Sequence, residues 1–268
     1  MSTNLRPAAV AGMFYPESAA VLAKEVFQLL SGAASQPGLR PKAIIAPHAG
    51  YVYSGGIAAS IYAPLAALRG IIRRVVLLGP THRIAVEGLA LPTSTAFATP
   101  LGIVPIDRTA VDAIKHMPQI VFSDAAHAQE HSLEVQLPFL QNVLGEFFLL
   151  PLAVGRASAQ QVADVLECLW GSDETLIVVS TDLSHYLPYE QAQQTDAQTV
   201  QSILGLNPTI HHQQACGATP VNGLLLAARQ HGLRARLVDL CNSGDTAGDK
   251  SRVVGYGAFA FCDDEDVR

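Results

Sequence analysis

"IIAPHAGYVYSGG", residues 44–56, sets the terms on which the rest of the chain is read. It begins as a short apolar run, breaks at Pro47, places His48 at the break and leads into a helical pattern. A short apolar run bounded by turn residues is the signature of a strand buried on both faces. A titratable, metal-capable side chain at the end of such a strand is either a turn residue or a ligand or base at the mouth of a sheet.

The same grammar recurs along the chain. "KAIIAP" (42–47), "RVVLLG" (74–79), "FFLLPLAV" (147–154) and "TLIVVST" (175–181) read as buried strands. "RARLVDL" (234–240) and "VVGYGAFAF" (253–261) alternate more and read as partly exposed strands. Helical patterns cover 18–31, 54–67, 107–116, 132–144, 158–170, 188–204 and 219–231. The segment after Ser158 carries apolar residues at 162, 165, 166 and 169, a 3.6-residue stripe. Ser132 and Thr219 are expected to cap their helices, the latter with Pro220 at the first helical position. This alternation predicts an α/β fold of three layers, with a central, mainly parallel or mixed sheet flanked by helices. Evenly spread Gly and Pro, with no repeat or linker, predict a single domain over 1–268.

Composition narrows the partners. The 268 residues are 49% hydrophobic and 15% charged, with a net charge of −6, which is ordinary for a globular chain with a sizeable core. No dense Lys/Arg cluster is present, so neither nucleic acid nor an anionic membrane is an expected partner. Apolar runs stay well short of the ~20 residues of a membrane span. The start, "MSTNLRPAAVAGMFYPES", lacks the basic and apolar regions of a secretory signal, so a cytoplasmic location is expected. The end, "CDDEDVR", reads as a solvated tail. Four cysteines without a CxxC spacing predict free thiols, with Cys168, Cys241 and Cys262 in the core.

The reactive residues fall at strand ends. His48 follows "AIIAP", His82 follows "RVVLLGPT", and Asp182 and His185 follow "LIVVST". In open α/β sheets, ligands bind beyond the C-terminal ends of strands. If these strands are parallel neighbours, the three histidines converge on one crevice. Glu130 and His131 stand before a predicted helix in "EHSLEVQLPFL" (130–140). Cys216 stands near another helix start in "ACGATPVNGLL" (215–225), a position that favours thiolate. Taken singly, each is more often a loop, capping or packing residue; the joint pattern points to a shared site. His127 is a candidate support for the Glu130–His131 pair, and Tyr51 or Tyr53 a candidate hydrogen-bond donor at the rim. His116, His211, His212 and His231 read as surface or helix-end residues.

Two imidazoles and one thiolate make a soft, mixed donor set that suits Fe(II), Zn(II) or copper and suits Mg(II) or Ca(II) poorly. His185 and His131 are then candidates for acid/base work, with Asp182 and Glu130 as orienting carboxylates. A metal-free alternative is a cysteine hydrolase with Cys216 as nucleophile, His131 or His185 as base and Asp182 as orienter.

The stretches "AGMFYP" (11–16), "IIAPHAGYVYSG" (44–55), "LLGPTHR" (77–83), "EHSLEVQLPFL" (130–140), "STDLSHY" (180–186), "CGATPV" (216–221) and "GDKSRVVGYGAFAF" (248–261) resemble the Memo family. Its prokaryotic members are called AmmeMemoRadiSam system protein B. The resemblance implies a fold similar to class III extradiol, LigB-like dioxygenases, which hold non-haem Fe(II) with two histidines and a carboxylate. It carries the metal positions onto His48, His82 and Cys216, and the further acid/base histidine onto His185, with His131 nearby. Cysteine in place of the carboxylate departs from the dioxygenase pattern and supplies an oxidisable donor. The resemblance implies metal-dependent redox chemistry, an oxidoreductase acting on a small-molecule substrate, with iron first and copper or zinc as other metals. It also implies a link to radical-SAM system proteins. The competing expectations are a non-catalytic metal- or ligand-binding partner in such a system, or a metal-dependent hydrolase.

Overall fold

The computed structural model describes residues 4–263. The strands are β1 (Leu5–Arg6), β2 (Ala43–Ala46), β3 (Arg74–Pro80), β4 (Leu89–Leu91), β5 (Ala96–Thr99), β6 (Gly102–Pro105), β7 (Ile120–Phe122), β8 (Phe148–Val154), β9 (Thr175–Ser180), β10 (His185–Leu187), β11 (Arg234–Asn242) and β12 (Val253–Cys262). The helices are α1 (Ala19–Gly32), α2 (Tyr51–Tyr62), α3 (Arg108–Ile114), α4 (Asp124–Ala128), α5 (Leu137–Leu144), α6 (Ala159–Leu169), α7 (Tyr189–Leu204) and α8 (Ala218–Gln230).

Nine strands form one mixed sheet, in the order β10-β12-β2-β9-β3-β8-β4-β7, with β11 also paired to β12. At its centre β2, β9, β3 and β8 are mutually parallel. The outer strands β12 and β4 join them antiparallel. A small second sheet has the order β1-β5-β6. Helices α1, α2 and α5 pack with one another, and α3, α6 and α8 form a second group. The expected α/β architecture, a mixed sheet flanked by helices, is what the chain adopts.

The central strands are fully buried: Ile44, Ile45, Val75, Val76, Leu149, Leu150, Ile177 and Val178 have no exposed surface. Each such side chain contributes roughly 1.5–3 kcal/mol on leaving water. The apolar stretch Tyr51–Leu68 is long and apolar enough to cross a membrane by length and composition, but 61% of it is buried inside the fold. It packs on α1, β2 and β12 as an interior helix.

Several local expectations fail for identifiable reasons. The helix expected from Ser132 starts at Leu137, after a 3-10 turn at Glu134–Gln136. Pro138 lacks an N–H and clashes with a preceding turn, so it belongs in the first turn of a helix and not inside one. Ser132 caps nothing; its hydroxyl donates to the Pro80 carbonyl at 2.9 Å. The cap of α8 is Gly217, not Thr219. A Cβ on Gly217 would lie 2.7 Å from Thr181, so this close approach to the end of β9 requires glycine. Cys168 is exposed, because it lies off the apolar stripe that α6 turns inward. Cys241 is half-buried and Cys262 is buried. Residues 264–268 of the acidic end lie outside the described residues.

Candidate metal centre

Register places the site. Ala46 pairs with Ser180 and Leu78 with Val179, so the C-terminal ends of β2, β9 and β3 are level. Two residues beyond these ends stand His48, Asp182 and His82. Three neighbouring parallel strands therefore deliver three polar side chains to one crevice, where α/β sheets bind ligands. His131 comes from the irregular segment between α4 and the 3-10 turn.

The imidazoles of His48, His82 and His131 form a compact group. Their ring centroids are 5.2 Å apart for His48–His82, 5.3 Å for His48–His131 and 4.5 Å for His82–His131. One ring nitrogen from each lies within 4.8 Å of the others, a grouping that can hold a metal ion.

Hydrogen bonding fixes how the rings present their lone pairs. Ser180 Oγ donates to the Ser132 carbonyl at 2.6 Å and accepts from Gln136 Nε2 at 2.9 Å. Its one proton is thus committed, and at 2.8 Å from His48 Nδ1 it can only accept. His48 then carries its proton on Nδ1 and a lone pair on Nε2. A carboxylate accepts only, so Glu130 Oε1, 2.8 Å from His82 Nδ1, leaves His82 Nε2 free in the same way. Such supporting acceptors are what orient metal-binding histidines.

Glu130 organises the whole loop. Besides His82 Nδ1, it accepts the backbone N–H groups of His82 at 2.6 Å and of His131 and Ser132 at 2.9 Å. Burial alone would raise its pKa, but the bonds from His82 and these N–H groups outweigh burial and bring it to about 2. It remains an anion. Burial pushes His48 well below the usual imidazole range, reinforced by His131, His82 and His185. Burial likewise lowers His131 to about 4, with Glu130 opposing. Both rings are therefore neutral near pH 7, the form that binds metal.

Cys216 stands beside this group, with Sγ 3.3 Å from His48 Nε2 and 3.6 Å from Thr181 Oγ1. The expected thiolate is not favoured. Burial, then the Asp182 charge, pushes the thiol up to about 12. A helix terminus is worth only about 0.3–1 kcal/mol at an exposed position, too little to offset this. A nearby cation inverts that balance and deprotonates a coordinating thiol.

Asp182 is buried and accepts the His48 backbone N–H at 2.7 Å, so it positions the loop of His48 and not an imidazole. Burial raises it to about 6, opposed by that N–H and by His185 and His82. His185 opens β10 and donates from Nδ1 to the Leu183 carbonyl at 2.8 Å, leaving Nε2 as an acceptor. The next residue, Tyr186, has φ 58°, a left-handed conformation unusual for a bulky side chain.

The expected rim donor Tyr51 is instead a core residue whose hydroxyl donates to the Val135 carbonyl at 2.8 Å. Tyr53 is 40% exposed. His127 turns to the Ala90 carbonyl at 2.9 Å and lies edge-on to Phe97. Ser180 and Gln136 were missed from sequence although both lie inside quoted motifs, since neither is a metal or acid/base residue. An open cavity of about 390 Å³ reaches the group from outside, bounded by His82, Cys216, Arg156, His212 and Thr219.

The donor set is chemically suited to a transition metal: three imidazoles, two with Nδ1 committed to supporting acceptors, and a thiol beside His48. Comparison with known proteins agrees on fold and kinship. A solved structure of an uncharacterized protein from Escherichia coli K12 superposes with a TM-score of 0.54 over 81% of this chain and 98% of that one, at 11% identity, a likeness of fold alone. A MEMO1 family protein of Aquifex aeolicus is 37% identical, covering 96% of this chain and 99% of its own. One from Methanopyrus kandleri is 36% identical, covering 96% and 98%. The family model described as Memo-like protein matches residues 6–260. The chain belongs to the Memo family.

Proposed function

We propose that this chain is a metal-dependent redox protein whose ion sits on His48, His82 and His131, with Cys216 as a fourth donor. The observation that carries the reading is the commitment of Nδ1 on His48 and His82 to Ser180 and Glu130, with a ring nitrogen of a third imidazole, His131, within 4.8 Å of theirs. Rings held this way are prepared for a ligand before it arrives. Iron and copper fit a mixed nitrogen–sulfur set, as does zinc. When bound, such an ion would supply electron transfer or Lewis acidity.

The chain's own residues supply the remainder. Glu130 holds His82 and the backbone of His131. Asp182 and Ser180 hold His48. His185 Nε2 is the proton acceptor nearest in role to a general base, since its Nδ1 proton is spent on Leu183. The cavity beside His82 and Cys216 admits a small molecule.

The test is dioxygen consumption by protein loaded anaerobically with Fe(II) or Cu(I), beside Zn(II)-loaded protein. Uptake by the redox-active forms, absent in the zinc form and in His82→Ala, supports the reading. Equal hydrolytic activity with zinc, and no uptake with iron or copper, replaces it with a metal-dependent hydrolase. Binding with neither activity leaves a metal-binding partner protein.

One contact favours a second reading. Cys216 Sγ at 3.3 Å from His48 Nε2 is also a nucleophile–base spacing. It predicts thiol-dependent hydrolysis that survives chelation, and the high thiol pKa weighs against it.

A further inference from the structure

The motif "AGMFYP" (11–16) contains no histidine, cysteine or carboxylate, yet it and Arg6 are built against the site. Arg6 is 5% exposed and Glu134 is fully buried, and the two form an ion pair. Arg6 also donates from Nε to the His127 carbonyl at 3.0 Å and from its second terminal nitrogen to the Glu130 carbonyl at 2.6 Å. All three acceptors lie within residues 127–134, from the last turn of α4 to the start of the 3-10 turn, a stretch that carries Glu130 and His131 between them. Glu134 in turn accepts the backbone N–H groups of Ala9 at 2.8 Å and Val10 at 3.0 Å and the Tyr15 hydroxyl at 2.5 Å. Phe14 packs on the His131 ring at 4.7 Å, and its carbonyl accepts the Tyr51 N–H at the start of α2, three residues past His48.

We propose that Arg6 and Glu134 are a positioning pair for the histidine group: they strap the N-terminal segment onto residues 127–134 and so fix His131 and the Glu130 carboxylate that orients His82. A buried ion pair is a poor device for stability alone, because desolvation offsets its attraction, but it fixes geometry well. A planar guanidinium meets the three oxygens from three separate nitrogens in a fixed fork, a spread that the single nitrogen of an ammonium does not match. Without it, the Glu130 carbonyl loses its donor, and the His127 carbonyl keeps only backbone N–H groups such as that of Glu130 at 3.3 Å. As regards the metal, the inference rests on the function proposed above; as regards the loop, it does not.

The test compares wild type with Arg6→Met, Arg6→Lys, Glu134→Gln and Tyr15→Phe, using Arg74→Met as a control. Arg74 pairs with Asp107 at 2.6 Å at the opposite ends of the strands. Two quantities are read: amide hydrogen exchange at His82, His131 and Ser132 in metal-free protein, and metal affinity. We expect exchange at these amides to rise at least ten-fold in Arg6→Met and Glu134→Gln, with β9 amides unchanged. Affinity is expected to fall roughly 10- to 100-fold, the usual cost of losing support to a ligand. Arg6→Lys should recover little, and Tyr15→Phe, which removes one hydroxyl and keeps both members of the ion pair, should shift exchange less in the same direction. Unchanged exchange at the three amides in folded Arg6→Lys and Tyr15→Phe, or an equal rise in Arg74→Met, overturns the proposal. Faster exchange in a protein whose wild type binds no metal would leave the strap standing and remove the metal function instead.

Discussion

The two ends of β2, β9 and β3 use polar residues in opposite ways. At the N-terminal ends, charges are consumed. Lys42 Nζ donates to the Ser172 and Thr175 carbonyls at 2.7 and 3.0 Å, and Arg74 pairs with Asp107. At the C-terminal ends, the buried Glu130 carboxylate and Ser180 hydroxyl are spent on Nδ1 of His82 and His48, which leaves Nε2 of each for the site, that of His48 facing Cys216 at 3.3 Å. The surface stack of His231 on Trp170 at 3.8 Å follows the first pattern, with His231 Nε2 2.6 Å from Glu167. Histidine content alone therefore does not mark a site. Convergent lone pairs with committed partners behind them do.

Breaking that contrast should cost most at Glu130. Glu130→Ala removes the acceptor of three backbone N–H groups and one ring proton. We expect a loss of roughly 3–5 kcal/mol in urea unfolding, as for a broken buried charge network, together with loss of metal binding.

The pH response comes next. His131 is lowered to about 4 in the folded metal-free protein, so between about pH 4 and 6.5 the unfolded chain binds more protons there than the folded one, and the depressed His48 acts in the same direction. Stability therefore falls on acidification through that window, by roughly 1.4 kcal/mol per unit for each such group. Glu130 adds a further loss as pH drops from 4.5 toward 2. Asp182 acts oppositely: raised to about 6, it stabilises fully below 3.8, and that contribution is lost as pH rises through 6. Urea titrations from pH 7 to 4 should show a net decline that His131→Gln reduces; a flat profile would contradict the buried neutral imidazoles.

Ser180→Ala sharpens the comparison more gently. It strips the acceptor from His48 Nδ1 while leaving the ring in place. A drop of about ten-fold in metal affinity is expected by titration, at the low end for a lost supporting contact. Smallest of all is Arg74→Met. Its partly exposed ion pair is worth about 1 kcal/mol or less, and metal affinity should not move.

How much of this was legible in the sequence follows from element length. The central strands declared themselves as continuous apolar runs bounded by turn residues, even β2 with four residues before Pro47, and the long helices by a 3.6-residue period. The sequence expectation of 175–181 for β9 became Thr175–Ser180, and 158–170 became Ala159–Leu169. Strands β1, β4, β5, β6, β7 and β10 span two to four residues each, too few to set a period and without the four-residue, fully buried apolar run that marks β2, and were not seen. The strand-end histidines His48 and His82 were readable because strand ends are. His131 was readable only as a neighbour, since its place in the group depends on the start of α5 being delayed to Leu137. Arg6 and Ser180 were illegible: their roles depend on contacts over 121–128 and 132 positions of sequence separation.

The most direct test of the central claim is metal stoichiometry by elemental analysis with anaerobic Fe(II), Cu(I) and Zn(II) titration. Wild type would be measured beside His48→Ala, His82→Ala, His131→Ala and Cys216→Ser. The arrangement predicts one ion per chain, lost or weakened at least 100-fold in each histidine variant and weakened less in Cys216→Ser. Equal binding by all four variants, or none by a folded wild type, would contradict it.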